Sequence, residues 1–374
     1  MIEEVVYEED DRIDLVIFIN GLALFAIELK FNPNGQSVQD AIKQLKGRNP
    51  KNRLFRFEQG VLASFAVDTL EVYMTTQLKG QETYFLPFNM GKGEGIETGS
   101  GNPHNPDGVD TEYLWLDVLT MDSILQLVES FIFYEVDKSN SKKKTLIFPR
   151  YHQRRAVSRL LEDMKTNHTD NNYLIQHSAG SGKTNTIAWL AHSLVSLHDD
   201  QNRNIVDTVL IVTDRIVVDR QLQDAVRQIN HKNGVVKVMG DRETSSDLAD
   251  AIAGNTKIIA TTIHKFAQIN QSDWMSVGNT GNKKFAILID EAHSSTTGSY
   301  MSSVSQVLTE TDTENGTIDE VQEVTVADAI EQEIARTGKQ DNVSIIAFTA
   351  TPKATTLQLF GSTQPDGSKA PFDV

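Results

Sequence analysis

An apolar run, Tyr173 to Gln176, leads directly into His177-Ser178-Ala179-Gly180-Ser181-Gly182-Lys183-Thr184 and then into a stretch with helical spacing. A strand that turns through glycines into a helix restricts the fold to one in which strand C-termini meet helix N-termini. It also predicts a chemistry. A triphosphate needs backbone N–H groups aimed at its oxygens, a fixed cation and a magnesium ligand. Ala179, Gly180, Ser181 and Gly182 supply the backbone cradle, with the glycines allowing close approach. Lys183 can reach the β- and γ-phosphates, and the Thr184 hydroxyl can hold Mg²⁺.

The surrounding pattern agrees with that restriction. Short β-branched runs at Tyr173 to Gln176, Thr208 to Thr213, Val235 to Met239, Lys257 to Thr262, Phe285 to Ile289 and Ser344 to Thr349 are separated by helical patterns. Strands spaced by helices predict a parallel sheet covered on both faces. The run Phe285 to Ile289 ends in Asp290-Glu291-Ala292-His293. Carboxylates at a buried strand end suit an NTPase, with Asp290 holding Mg²⁺ through water and Glu291 orienting or deprotonating the attacking water.

Upstream the pattern is mixed and hairpin-like. Strands are expected near Asp14 to Ile19, Leu22 to Lys30, Glu71 to Gln77 and Thr83 to Pro87, with a helix from about Gln36 to Lys46 and another from Met121 to Tyr134. Asn89 to Asp110, rich in Gly, Asn and Pro, reads as a long loop. Asp137 to Thr145 (DKSNSKKKT) is polar and without apolar periodicity, so the expected division is a domain over 1–137, a linker over 138–145 and a second domain over 146–374.

The strand Leu22 to Lys30 is apolar nearly throughout, so Glu28 and Lys30 at its end need a reason. Phosphodiester hydrolysis offers one: two carboxylates can hold a divalent metal while an ammonium stabilises developing charge. Asp14 is the candidate second carboxylate. A two-residue turn at Asn20-Gly21 would pair Ile19 with Leu22 and set Asp14 opposite Ile27, on the wrong face; a three-residue loop would pair Phe18 with Leu22 and set Asp14 on the Glu28 face. A shared metal therefore requires the bulged turn or an equivalent local twist, and carboxylates far apart on opposite faces would rule the assignment out.

Charge and composition exclude several classes. A net charge of −16 argues against binding nucleic acid through the whole surface, so any DNA contact must be local. Acidic residues crowd between Glu310 and Glu333, basic ones between Lys138 and Arg159, where a solvated linker and helix face compete with a nucleic-acid patch. The first residues, Met1-Ile2-Glu3-Glu4, lack the basic and apolar regions of a secretory signal, and no apolar run approaches the roughly 18 residues of a membrane span. The absence of cysteine excludes disulfides and thiolate metal sites and suits a cytoplasmic protein with no membrane partner.

The motifs AGSGKT, DEAH and Thr349-Ala350-Thr351-Pro352 occur in the order found in superfamily 2 helicases and translocases, which the second half resembles. The resemblance implies that Thr349 and Thr351 link hydrolysis to nucleic-acid contact, that His293 couples the two sites, and that Gln153, in FPRYHQ, reads adenine. It places Thr213, Arg215, Thr261 and Thr262 at strand ends facing a phosphate backbone; for Gln153 a surface helix position and for Thr261 a cap are the alternatives. The His177 position is Gly in the general phosphate-loop pattern, a departure that superfamily 2 tolerates.

Nearly the whole chain resembles the motor-restriction subunit of type I restriction-modification enzymes. The residues that carry this are Arg12 to Lys30, Pro87-Phe88-Asn89, Gly99 to Pro103, Tyr113-Leu114-Trp115 and Phe348 to Gly361. It implies an α/β architecture, a PD-(D/E)xK-type nuclease domain with a mixed sheet followed by one RecA-like P-loop lobe. It further implies an ATP-driven double-stranded DNA translocase with metal-dependent cleavage, working with methylation and specificity subunits. Asp14 and Glu28 would bind the metal, with Lys30 the catalytic lysine. The family often has a Gln followed four residues later by Tyr; here Gln44 is followed by Arg48, which puts the role of Gln44 in question. With one lobe, 374 residues are expected to form an incomplete motor that binds ATP weakly and turns it over slowly. Another helicase-nuclease of DNA repair and a non-catalytic assembly or DNA-docking module are the competing readings.

Overall fold

The computed structural model describes residues 1–8, 11–92, 101–137, 139–140, 143–169, 171–213, 220–229, 235–240, 242–262, 265, 283–292 and 342–373, which fall into two compact units, Met1–His152 and Gln153–Val374. Arg215, His293, Gly99 and Ser100, and the acidic stretch Glu310 to Glu333 lie outside the described residues.

The first unit is built on six strands in chain order, β1 (Ile2–Glu8), β2 (Asp11–Ile19), β3 (Leu22–Leu29), β4 (Ala63–Val67), β5 (Val72–Thr75) and β6 (Leu86–Pro87). All neighbours are antiparallel except β3 and β4, whose parallel pairing requires a crossover. That crossover carries α1 (Val38–Gly47), entered through a capping box in which Ser37 and Asp40 exchange side-chain and backbone hydrogen bonds. Val38, Ala41, Ile42 and Leu45 of α1 pack with Val16 and Ala26 of the sheet. Elsewhere Phe25 meets Phe65 and Phe148 edge to face, and Phe65 meets Phe88. The middle of β3 is buried, as its apolar sequence demands, but Leu22 and Leu29 at its ends are exposed.

Asp68 ties these parts together. Its Oδ2 accepts from the Val38 N–H (2.7 Å) and the Asn32 amide (3.0 Å), and its Oδ1 from the N–H groups of Leu70 and Glu71 (2.8 Å each). Nearby, the Asn102 amide donates to the Leu70 carbonyl (2.8 Å) and to Asn89 Oδ1 (3.1 Å), fastening the long loop to the sheet. Asp68→Ala would leave the buried Val38 N–H and three part-buried donors without their acceptor, so it is expected to destabilise this unit by about 3 kcal/mol. Faster amide exchange throughout β3 to β5 would register the loss; unchanged exchange would contradict it.

Strands β1 and β4 were not expected from the sequence, and three further points differ from the expectation. The expected helix over Met121 to Tyr134 is α2 (Met121–Gln126), a wider π-type turn over Leu127–Phe131 and then strand β7 (Phe133–Val136). Lys144 and Thr145, expected as linker, belong to β8 (Lys144–Ile147), which pairs antiparallel with β7; the Asp137 N–H donates to the Lys143 carbonyl (2.9 Å) at the mouth of this hairpin. The division between units falls after His152, within α3 (Tyr151–Asn167), rather than at 138–145.

Among its described residues the second unit holds a six-stranded, fully parallel sheet. Its strands are β9 (Tyr173–Gln176), β10 (Thr208–Thr213), β11 (Val236–Val238), β12 (Ile258–Thr262), β13 (Phe285–Asp290) and β14 (Val343–Thr349), in the spatial order β11-β12-β10-β13-β14-β9. The six strands fall where the apolar runs placed them, within a residue or two at each end. Helix α4 (Lys183–Leu194) follows β9; α5 (Arg220–Ile229), α6 (Ser245–Ala253) and α7 (Ala354–Phe360) complete the described helices of this unit. The strands bury both faces, and Leu210, Ile259, Phe285, Ile287 and Ala347 lie in one core with Leu248 and Ile252 of α6.

Candidate functional site

In the second unit, register brings the motif residues to one edge. Thr213 pairs with both Asp290 and Thr262, and Thr349 with Gln176, so the carboxyl ends of five neighbouring strands converge where the glycine loop begins. The carboxyl ends of the strands are where open parallel sheets bind ligands. The loop is fixed at both ends: the His177 N–H donates to the Thr349 carbonyl (2.9 Å), and the Ser181 N–H to the Ser178 carbonyl (3.1 Å). Ser178, Ala179 and Gly180 are exposed to solvent.

Gly182 caps α4 in the left-handed region (φ 89°), and a Cβ there would lie 2.4 Å from the Gln153 amide nitrogen. No other residue satisfies both the torsion and the space. The amide of Gln153, which is buried, donates to the Gly182 carbonyl (2.9 Å), so Gln153 packs against the glycine loop rather than facing solvent.

Lys183 forms an ion pair with Glu291 and lies 3.5 Å from Asp290 Oδ1. Burial pushes the Asp290 carboxyl above its ordinary range, the Lys183 ammonium pulls it back, and Glu291 pushes it up again. Glu291 adopts φ 57°, an uncommon torsion for a residue with a side chain. Thr184, at the first turn of α4, is partly exposed. Thr213, Thr261, Thr262 and Thr349 are all buried, and the Thr261 hydroxyl faces the Thr262 carbonyl (3.4 Å); Thr351 is exposed, its N–H donating to the Thr349 hydroxyl (3.3 Å).

In the first unit, the β2–β3 hairpin resolves the question of faces. The turn is the two-residue kind: Ile19 pairs with Leu22, and Asn20 and Gly21 both have positive φ (50° and 79°). The three-residue loop is not formed. Instead the register shifts one step further in, since Phe18 pairs with Ala23 but Ile17 with Phe25, leaving Leu24 as the bulged residue. Beyond the bulge Leu15 pairs with Ile27, so Asp14 stands opposite Glu28, on the same face. Asp14 Oδ2 accepts from the Leu29 N–H at 2.7 Å.

Glu28 has no exposed surface. Its Oε1 is 3.2 Å from the Lys30 ammonium and its Oε2 is 3.2 Å from the Arg48 guanidinium. Burial and the neighbouring Asp14 charge push the Glu28 carboxyl above its usual range, while Lys30 and Arg48 pull it down. Lys30 also donates to the Leu29 carbonyl (3.1 Å). Gln44 is exposed on α1, whereas Arg48, one turn further on, reaches Glu28. Arg48 is the site residue that the sequence did not single out except as a departure from pattern.

Asp14, Glu28 and the Leu29 carbonyl are oxygen donors, the type of ligand a hard divalent cation takes. Among the described residues no group of three or more His, Cys, Asp or Glu converges, so such an ion would complete its shell with water or phosphate, as Mg²⁺ habitually does. Four described members of the basic cluster are paired: before α3, Lys144 with Glu58 (2.6 Å) and Lys143 with Asp137 (3.5 Å), and on α3, Arg155 and Arg159 with Asp373 (3.5 and 2.8 Å). These pairs favour the bland reading of that cluster.

The family model described as SWI2/SNF2 ATPase matches residues 152–364, more than half of the 374 residues. The chain belongs to the SWI2/SNF2 ATPase family. The SWI2/SNF2 region is preceded by a match to the type I restriction enzyme R protein N terminus over residues 1–83, which contains Asp14, Glu28, Lys30 and Arg48. This combination of regions is that of a type I restriction R subunit.

Among curated relatives, the MjaVIIIP type I restriction enzyme endonuclease subunit of Methanocaldococcus jannaschii is 26% identical over 325 residues, covering 82% of this chain and 30% of its own length. The SauCOLORF180P endonuclease subunit of Staphylococcus aureus is 26% identical over 301 residues, covering 77% of this chain and 28% of its own. The chain thus spans under a third of the length of these relatives. A DEAD box protein from Methanococcus jannaschii aligns in structure at 19% identity, over 57% of this chain and 47% of that one, with a TM-score of 0.36. Among the described residues no helix is long and apolar enough to cross a membrane.

Proposed function

We propose that this SWI2/SNF2-family chain provides the DNA-cleaving and ATP-consuming centres of a type I restriction endonuclease. In this reading it acts on double-stranded DNA in the cytoplasm, alongside methylation and specificity subunits. The observation that carries the cleavage reading is the bulge at Leu24, which sets Asp14 opposite Glu28 with the Lys30 ammonium on the Glu28 carboxylate. A bound Mg²⁺ would polarise the scissile phosphate and activate water. Asp14 and Glu28 would hold it, and Lys30, released from Glu28, would offer its charge to the developing phosphorane.

In the second unit, Gly180, Gly182 and the first turn of α4 would bind the phosphates of ATP, with Lys183 leaving Glu291 for the γ-phosphate. Thr184 and Asp290 are assigned to Mg²⁺ and Glu291 to the attacking water. Gln153, in contact with the loop, is assigned to the adenine end, and exposed Thr351 to nucleic-acid contact. Buried Thr213, Thr261, Thr262 and Thr349 form the frame behind it. Translocation follows in this reading from hydrolysis at that edge.

One observation favours a second reading. Both oxygens of Glu28 are occupied by cationic side chains, as in a purely structural ion-pair cluster. Incubation of the chain with supercoiled DNA and Mg²⁺ or Mn²⁺ separates the two. Metal-dependent nicking is expected; no nicking with any divalent ion, together with no Glu28-dependent metal binding, would leave the structural cluster.

A further inference from the structure

Arg48 is gripped from several sides. It is 7% exposed, its Nη1 lies 2.9 Å from Asp11 Oδ1, its Nη2 lies 3.2 Å from Glu28 Oε2 and also donates to the Arg12 carbonyl, and its guanidinium carbon sits 5.6 Å from the centroid of the Tyr7 ring. The other Glu28 oxygen is held differently. Among the described residues Oε1 meets the Lys30 ammonium alone, on a flexible stem, and that same ammonium reaches the Leu29 carbonyl. One oxygen is therefore clamped by a rigid planar fork and the other by a movable point charge.

We propose that Arg48 is a positioning residue for the metal centre: it fixes Oε2 of Glu28, so that Oε1 is presented with Asp14 and the Leu29 carbonyl to a divalent cation. The inference rests on the nuclease reading above. Asp11 matters to it as well. Its carboxylate offsets the Arg48 charge at 2.9 Å, so the fork can orient Glu28 without leaving an uncompensated positive charge beside the cation. Arg48 is the outer partner of a ligating carboxylate, a role in which substitution lowers metal affinity by about 10- to 100-fold.

The test measures Mn²⁺ binding to the 374-residue chain by electron paramagnetic resonance, without DNA or nucleotide, counting only the binding that Glu28→Gln abolishes. Arg48→Met is expected to weaken this binding by about tenfold or more, and Asp11→Asn by about threefold. Asp11 is half-exposed, so its replacement leaves the core filled and decides the matter where Arg48→Met does not fold. In cleavage, the Mn²⁺ concentration for half-maximal rate should rise by the same factor in each variant, while the rate at saturating Mn²⁺ falls less than about threefold. A merely structural role would lower stability and leave the Mn²⁺ affinity of the folded protein untouched. Binding within twofold of the parent in the folded variants overturns the proposal alone. A parent chain with neither Glu28-dependent Mn²⁺ binding nor cleavage overturns the nuclease reading and this inference with it.

Discussion

Glu28→Ala and Lys30→Ala are each expected to lower metal-dependent DNA cleavage by at least about a thousandfold, equivalent to about 4 kcal/mol of barrier, while nucleotide binding stays unchanged. Glu28 is the buried member of the carboxylate pair, and its loss leaves Asp14 alone opposite an empty position. Lys30 is the ammonium already placed on the Glu28 carboxylate. Because Glu28→Ala also strips Arg48 of a partner, Glu28→Gln is the companion variant. It keeps the shape and removes the charge. Equal loss in both would assign the effect to chemistry rather than to collapse of the site; wild-type cleavage in folded Glu28→Gln would remove Glu28 from the mechanism.

The second large effect concerns the phosphate loop. Lys183→Ala is expected to lower ATP hydrolysis by at least about a hundredfold, since it deletes the cation that meets the β- and γ-phosphates. Gly182→Ala should be as damaging to nucleotide affinity. Its new Cβ would demand a left-handed torsion at φ 89° and would meet the Gln153 amide at 2.4 Å, so the loop and the α4 N-terminus must shift together. The rate of ATP turnover checks the first, and equilibrium binding of a fluorescent ATP analogue checks the second. Near-normal affinity in Gly182→Ala would mean that the loop binds phosphate in another conformation.

The second unit was legible because its strands are continuous β-branched runs bounded by turns, and a buried parallel strand reads the same in sequence and in space. Register then followed from the fold, which is why Thr213, Asp290 and Thr262 align without any local signal that they would. The first unit was less legible. β4, Ala63–Val67, is five buried residues with no alternation, too short to separate from other apolar stretches. The hairpin Phe133–Val136 to Lys144–Ile147 has the polar turn of a linker, and composition does not distinguish the two.

At the carboxylate centre, the need for a one-residue shift between Asp14 and Glu28 was visible, but its place was not. Leu24 carries no glycine or turn residue to mark it. It lies between pairs whose register differs by one step, Phe18 with Ala23 and Ile17 with Phe25. Arg48 was hidden for a related reason. It is separated from Glu28 by α1, and only the parallel crossover returns the end of that helix to the strand it left.

In the function proposed above, one chain carries two separable chemical centres, an oxygen-donor cleavage centre around Glu28 and a phosphate loop around Lys183. Cleavage of supercoiled DNA by the parent, Glu28→Ala and Lys183→Ala chains, supplied with Mn²⁺ and no ATP, tests it most directly. Cleavage is expected from the parent and from Lys183→Ala, and none from Glu28→Ala. Cleavage that survives in Glu28→Ala but disappears in Lys183→Ala would contradict it.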